Sequence, residues 1–185
     1  MLAGLCIALQ AERLGPSLMW QRQLIRNGQW WRLLTGNFIH LGWPHLFMDL
    51  AGLGMIWLLL GASLKIWQWL LALLTSALCV GVGLYLFVPG IRWYLGLSGA
   101  LHGLYVAGIG GHRREHPVES AVLLFLIIAK LTLEYLGGPM PGSDILAGGQ
   151  VVTQAHLLGA LGGLAFAALF LATTEWLKGG WSIFP

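Results

Sequence analysis

Long apolar stretches separated by short polar segments dominate the pattern of this chain. A helix needs about 20 mostly apolar residues to cross the hydrocarbon core of a bilayer. Five stretches reach or approach that length: residues 45–64, 66–88, 98–111, 118–136 and 152–177. A shorter one, residues 2–14, ends in Glu12 and Arg13, and no basic segment precedes it, so we expect a short first transmembrane helix and no cleaved signal peptide. The pattern predicts one domain, residues 1–185, with six transmembrane helices.

Residues 15–44, between the first two stretches, follow a different pattern. Tryptophan and arginine are interspersed there with leucine and isoleucine, and both favour the membrane–water interface. The residues concerned are Trp20, Trp30, Trp31, Trp43, Arg22, Arg26 and Arg32. We therefore predict a long first loop that lies on the bilayer surface and does not cross it. The other connections, residues 64–65, 89–97, 112–117 and 137–150, are short.

The composition narrows the class of protein. Apolar residues make up 57% of the 185 residues and charged residues only 9%, whereas about 25% of a soluble domain is charged. So few charged residues cannot cover the core of a soluble protein, which excludes a soluble globular domain. Disordered chains have low hydrophobicity, so a disordered protein is excluded as well. The sequence predicts an all-α membrane protein. The ten Lys and Arg residues are spread over many loops, which gives no support for nucleic-acid binding, and Cys6 and Cys79 are interpreted as packing residues.

Basic residues outside the first loop indicate the orientation of the chain. Six helices place both termini on one side of the membrane. Four basic residues would lie on that side, namely Lys65, Arg113, Arg114 and Lys178, and Arg92 would lie on the other side. Since cytoplasmic loops are enriched in Lys and Arg, the N terminus is predicted to be inside.

Several ionisable residues lie within the predicted helices, where they are costly and therefore functional candidates. They are His45, Asp49, His102, Lys130, Glu134 and His156. The second, fourth and sixth helices run in the same direction, and His45, Ser98 and His156 lie near their N-terminal ends. We therefore expect these three side chains in one leaflet. Lys130 and Glu134, spaced as i and i+4, are expected to pair with each other rather than with substrate.

The short fourth stretch places Ser98 below the membrane surface. Residues 98–111 form a helix of roughly 21 Å, against a hydrocarbon core of about 30 Å. Residues 89–97 must then enter the membrane, which non-helical backbone does only inside protein or beside a water-filled cavity. A submerged polar pocket at Ser98 is the expected consequence.

Small residues predict which helices touch. Gly99 and Gly103 follow Ser98, and the sixth stretch has a small residue at every fourth position, a pattern that lets helix backbones approach closely: Ala155, Gly159, Gly163 and Ala167. This contact would bring His156 within hydrogen-bonding reach of Ser98, a pairing that activates a serine nucleophile. Two other interpretations stay open, since Ser98 is also suited to capping a helix and His156 to a structural hydrogen bond.

Four motifs in order along the chain resemble those of the rhomboid family of intramembrane serine proteases. They are Trp31-Arg32 in the first loop, His40 with His45 and Asp49, Gly96-Leu97-Ser98-Gly99, and His156 with Gly159 and Gly163. The resemblance implies a six-helix rhomboid-like bundle in which a Ser98–His156 dyad cleaves membrane-anchored proteins through an acyl-enzyme, with neither metal nor cofactor.

The resemblance also implies further site residues. The oxyanion and substrate site would include His45, Asp49, Gly96 and Gly99, with His40 and His102 as possible accessory residues. Within the family the chain is most similar to the bacterial rhombosortase branch. That branch implies substrates with a C-terminal Gly-Gly-type sorting tail, and a location in the bacterial inner membrane with the site open to the periplasm.

Two positions depart from the family pattern. Asp49 stands where the family usually has Asn; a carboxylate repels an oxyanion, so Asp49 must be protonated to donate, or it orients His45 or positions water. His102 stands where many rhomboids have Tyr, and it either stacks on His156 or competes with it as the base. The alternatives are an inactive rhomboid-like protein that binds client helices, and a small transporter or proton channel that relays protons through His45, Asp49 and His102.

Overall fold

The computed structural model describes residues 1–171. Ten α-helices and two short strands make up most of this part. The helices are α1 (Leu2–Ala11), α2 (Gly15–Leu18), α3 (Arg22–Arg26), α4 (Arg32–Thr35), α5 (Trp43–Leu60), α6 (Ile66–Phe87), α7 (Ser98–His112), α8 (Pro117–Gly137), α9 (Ser143–Ala147) and α10 (Thr153–Phe166), and the strands are β1 (Trp20–Gln21) and β2 (Trp93–Tyr94). Short 3-10 segments follow α4 and α5, and a π-helical segment, Ala167–Leu171, continues α10. The end of the predicted stretch 152–177 lies outside the described residues.

Within residues 1–171, four helical segments are long and apolar enough to cross a membrane: Trp43–Ser63, Ile66–Phe87, Pro117–Gly137 and Thr153–Phe170. Large apolar side chains such as Leu58, Phe87 and Phe125 are exposed on the outside of the bundle, as expected of a surface that faces lipid. The chain is therefore an integral membrane protein. The other two predicted spans correspond to α1, of 10 residues, and α7, of 15 residues, and the count of six stays a prediction.

Helix α7 lies at the centre of the bundle, in contact with α5, α6, α8 and α10. Its buried residues lie all around the helix and include Gly99, Ala100, Leu101 and Ile109. At 1.5 Å per residue α7 is about 22 Å long. The helices around α7 are longer than α7 when the π-helical continuation of α10 is counted, so α7 begins inside the bundle, and Ser98 is its first residue.

The close contact of α7 with α10 confirms the expectation from the small residues. A Cβ atom at Gly159 would overlap the carbonyl oxygen of Gly99, and one at Gly163 would overlap that of Gly103. The two backbones therefore touch where these glycines face each other. This approach fixes the distance between the start of α7 and the start of α10.

The first loop is anchored to the helices more than the sequence suggested. Trp20 is fully buried and its indole N–H donates to the carbonyl of Gly81 in α6, at 3.0 Å. Trp20 is the first residue of β1, which pairs antiparallel with β2. The prediction that Trp20 lies at the lipid interface is wrong, because its ring fills space inside the protein.

The arginines of this loop also bind backbone carbonyls inside the protein. The Arg22 guanidinium donates to four carbonyls at and beyond the end of α6: Leu84, Tyr85, Val88 and Ile91. Arg32 is buried and donates to the carbonyls of Pro16 and Met19. The other tryptophans of the loop, Trp30, Trp31 and Trp43, are exposed, as an interfacial position requires.

Candidate active site

The segment that leads into α7 holds Ser98 in place. Gly96 has a φ of +118°, a conformation that favours glycine, and a Cβ there would come within 2.8 Å of His45 Nε2. Tyr94 is buried and its hydroxyl donates to the Gly96 carbonyl at 2.8 Å. Burial raises the pKa of the Tyr94 phenol above its ordinary value, so the hydroxyl remains a donor. Ser98 comes two residues after Gly96, at the N-terminal end of α7, where backbone N–H groups have no partner within the helix.

The Ser98 and His156 side chains are within hydrogen-bonding distance. His156 lies one turn into α10, and its Nε2 is 3.1 Å from Ser98 Oγ. His156 is 5% exposed, whereas Ser98 is partly exposed towards the cavity described below. A neutral imidazole beside a serine hydroxyl can act as a general base for it.

The second nitrogen of His156 binds a residue to which sequence reasoning gave another role. Glu134 of α8 lies with one oxygen, Oε2, 2.8 Å from His156 Nδ1. Its other oxygen, Oε1, is 2.6 Å from the ammonium of Lys130, so the expected Lys130–Glu134 pair is confirmed. The contact with His156 was missed because the i, i+4 spacing accounted for Glu134 without any third residue. An acidic residue inside a predicted membrane helix was the signal that could have found it.

His102 lies against the same group of side chains. Its ring is stacked on that of His156, with centroids 4.2 Å apart and an angle of 13° between the planes. Its Nδ1 is 2.7 Å from the Ser98 carbonyl oxygen and its Nε2 is 2.9 Å from Lys130 Nζ. Of the two roles considered for His102, the geometry matches stacking on His156.

A second group of polar residues lies against the segment that precedes Ser98: His40, which comes before α5, and His45 and Asp49 in the first two turns of α5. Asp49 Oδ2 accepts the Leu97 backbone N–H at 2.8 Å and is 3.1 Å from His40 Nε2. His45 Nε2 is 3.6 Å from the same oxygen, and the rings of His40 and His45 meet edge to face with centroids 5.2 Å apart. Asp49 therefore acts as an acceptor for the backbone just before the serine.

A cavity of about 390 Å³ is lined by residues from both of these polar groups. Ser98, His156, His45 and Asp49 line it, with apolar side chains from the surrounding helices that include Met48, Met55, Ile56, Leu101 and Tyr105. Gly99 is not among the residues that line the cavity; it is buried, and a Cβ there would meet the Ala155 carbonyl oxygen in α10. Most of the lining side chains are apolar and a few are polar or charged, which is the usual make-up of a binding cavity.

Two groups of three possible metal ligands occur in the described part of the chain: His102, Glu134 and His156, and His112, His116 and Glu119. In the first group, the Lys130 ammonium contacts both His102 and Glu134, so a metal cation there would meet a positive charge. The second group lies at the other end of α7, away from Ser98, and Glu119 is exposed.

Comparison with known proteins identifies the family. A model of the rhomboid domain matches residues 27–173, which is most of the chain. The chain belongs to the rhomboid family. It is also similar to a Bacillus subtilis (strain 168) protein described as "Putative rhomboid protease YdcA", with 31% identity over 81 residues. That match covers 44% of this rhomboid and 41% of the relative, so the chain spans about two fifths of the relative's length.

Proposed function

We propose that this rhomboid is an intramembrane serine endopeptidase that cleaves membrane-anchored proteins. The observation that carries the proposal is the distance of 3.1 Å between Ser98 Oγ and His156 Nε2, beside a cavity within a bundle of membrane helices. Family membership supports it, since a relative is described as a rhomboid protease. The six-helix arrangement of the family is part of the proposal, with α1 and α7 as the two short helices.

In the proposed reaction Ser98 Oγ attacks the carbonyl carbon of the scissile peptide bond while its proton passes to His156 Nε2. The tetrahedral intermediate then collapses, the C–N bond breaks, and the leaving amine takes the proton from Nε2. A water molecule attacks the acyl-enzyme in the same way, with His156 accepting and returning a proton. Carboxylic acid and free serine result, and neither metal nor cofactor enters the reaction.

The oxyanion would be stabilised by His45 and by the Ser98 backbone N–H. His45 Nε2 lies close to the backbone at Gly96, and the N–H of Ser98 is free of partners within α7. Asp49 is proposed to hold the segment before Ser98 and to orient His45, because its Oδ2 already accepts the Leu97 N–H. Gly96 would let the backbone before Ser98 lie close to His45, and Gly99 would let the start of α7 pack closely against α10.

For substrates, we propose membrane proteins with a C-terminal Gly-Gly-type sorting tail, cleaved on the periplasmic side of the bacterial inner membrane. The support is the motif resemblance to the rhombosortase branch, together with an apolar cavity beside the serine. A reporter protein with such a tail, compared with one whose Gly-Gly is changed to Leu-Leu, tests this choice. Equal cleavage of both reporters would contradict the sorting-tail specificity and leave the peptidase proposal standing.

The peptidase itself is tested with purified protein in detergent or liposomes and a transmembrane reporter. We expect Ser98→Ala and His156→Ala to abolish cleavage, and a fluorophosphonate probe to label the wild type but not Ser98→Ala. Ser63→Ala and His116→Ala are matched controls distant from the cavity and should retain activity. Cleavage by Ser98→Ala would contradict the mechanism, and a wild type that is neither labelled nor active would support an inactive client-binding protein.

A further inference from the structure

We propose that Glu134 is a positioning residue that converts the Ser98–His156 pair into a Ser–His–Glu triad, with Lys130 fixing the charge of the carboxylate. The inference rests on the proposed peptidase function and goes beyond the dyad implied by the rhomboid family. It assigns the protons on the ring nitrogens of His102 and His156.

The contacts of Glu134 are those of an orienting carboxylate. It is 4% exposed, and each of its oxygens has its own partner: Oε2 is 2.8 Å from His156 Nδ1 and Oε1 is 2.6 Å from Lys130 Nζ. The Glu134–His156 contact joins α8 to α10, and Ser98 belongs to α7. A line of hydrogen bonds from Glu134 through His156 to Ser98 therefore crosses three separate helices.

The ammonium of Lys130 determines where the protons lie. An ammonium only donates and a carboxylate only accepts. His102 Nε2, which is 2.9 Å from Lys130, must therefore be an acceptor, so the His102 proton is on Nδ1 and is donated to the Ser98 carbonyl. Both nitrogens of His102 are thereby occupied, which excludes it as the base for Ser98.

The same reasoning applies to His156. Its Nδ1 faces the carboxylate of Glu134 and must carry the proton, so Nε2 is free to accept the proton of Ser98 Oγ. When Nε2 takes that proton, the imidazolium cation lies directly beside the carboxylate, which stabilises it. The Nδ1 proton stays on His156 throughout, and Glu134 remains ionised.

An alternative is that Glu134 and Lys130 only link the helices. The two roles differ in what happens when Glu134 becomes an amide. In Glu134→Gln, Lys130 still only donates, so the amide oxygen must face Lys130 and the NH2 group must face His156. Nδ1 then becomes an acceptor, the proton moves to Nε2, and His156 can no longer accept from Ser98.

The experiment therefore compares Glu134→Gln with the double variant Lys130→Met/Glu134→Gln, using the transmembrane reporter. For Glu134→Gln we expect kcat to fall about 100-fold or more with KM little changed, as when the orienting carboxylate of a serine protease is replaced. In the double variant the amide is free to turn its oxygen to His156. We expect this variant to be about tenfold or more faster than Glu134→Gln alone, because the correct tautomer is restored.

A second measurement reports the tautomer without activity. In wild type with 15N-labelled histidine, NMR should show His156 protonated on Nδ1, and in Glu134→Gln protonated on Nε2. The His156→Ala spectrum assigns the signal. Glu119→Gln is the matched control, since it makes the same change in the first turn of α8 at a side chain 67% exposed, and it should change neither readout.

Each outcome bears on the triad separately from the peptidase. If wild type cleaves and labels while Glu134→Gln keeps its kcat, or if the double variant is no faster than the single one, the triad is wrong and the dyad stands. If wild type neither cleaves nor labels, the peptidase proposal fails, and the triad fails with it. If Glu134→Gln does not fold, a His156 tautomer in wild type protonated on Nε2 would still overturn the triad, and one protonated on Nδ1 would support it.

Discussion

Two buried carboxylates line the same cavity as Ser98, and their partners differ. Asp49, 2% exposed, accepts a backbone N–H from Leu97 and lies near the two imidazoles of His40 and His45. Glu134, 4% exposed, binds an ammonium and His156. One carboxylate thus holds backbone in place, and the other contacts the side chain that faces the serine hydroxyl.

The difference indicates which chemical group each of the two positions requires. An acceptor for a backbone N–H needs only an oxygen atom at the right place, which an amide also supplies. Glu134 faces a donor at each of its oxygens, the Lys130 ammonium and the Nδ1–H of His156, and an amide has only one oxygen with which to accept. The family's usual Asn at the position of Asp49 is consistent with the first requirement.

The largest expected effect is a difference in kcat when the carboxylate is replaced by an amide at each of the two positions. Asp49→Asn should keep kcat within about tenfold of wild type, because the amide oxygen still accepts the Leu97 N–H. Glu134→Gln should lose at least about 100-fold, for the reason given above. Steady-state cleavage of the reporter by both variants measures the contrast, and equal losses at the two positions would remove the distinction.

A smaller effect is expected on stability when Asp49 loses its acceptor altogether. Asp49→Leu leaves the buried Leu97 N–H without a partner, which costs about 1–3 kcal/mol of unfolding free energy. Thermal denaturation in detergent should show a lower midpoint for Asp49→Leu than for Asp49→Asn. A midpoint unchanged in Asp49→Leu would show that this hydrogen bond does not hold the segment before Ser98.

The smallest effect is expected at His40, which contacts Asp49 and His45 but does not itself line the cavity. His40→Phe keeps a ring of similar shape and removes the contact of Nε2 with Asp49 Oδ2, a loss of about 0.5–1.5 kcal/mol. We expect kcat to fall less than about tenfold and the fluorophosphonate probe still to label Ser98. A loss as large as that of His156→Ala would place His40 in the catalytic machinery and contradict its accessory position.

Much of the helical architecture followed from the sequence. The starts of α6 and α7 agree with the predicted stretches, and the glycines at 159 and 163 correctly indicated the α7–α10 contact. These signals are local, because a run of apolar residues and a four-residue spacing can be read along one helix. They also sufficed to bring Ser98 and His156 together as a hypothesis.

Two features were misjudged for a common reason. Trp20 was expected at the lipid interface because of the composition of its loop. Glu134 was expected to pair with Lys130 because of their i, i+4 spacing, and that spacing indicates no further partner. The partners that were missed are Gly81 for Trp20 and His156 for Glu134, which are 61 and 22 residues away along the chain. The helix α9 was also missed, because residues 137–150 have no apolar period of helical length.

The sequence by itself determined that the chain enters a membrane, which helices are long, and that a serine and a histidine begin two of them. Hydrophobicity and small-residue spacing decide these properties residue by residue. Only the tertiary structure decided that the Lys130–Glu134 pair lies against His156 and that Asp49 binds the segment before Ser98. Those contacts depend on the rotation and depth of α5, α8 and α10 around α7, which are set by packing between helices and have no signature within any one of them.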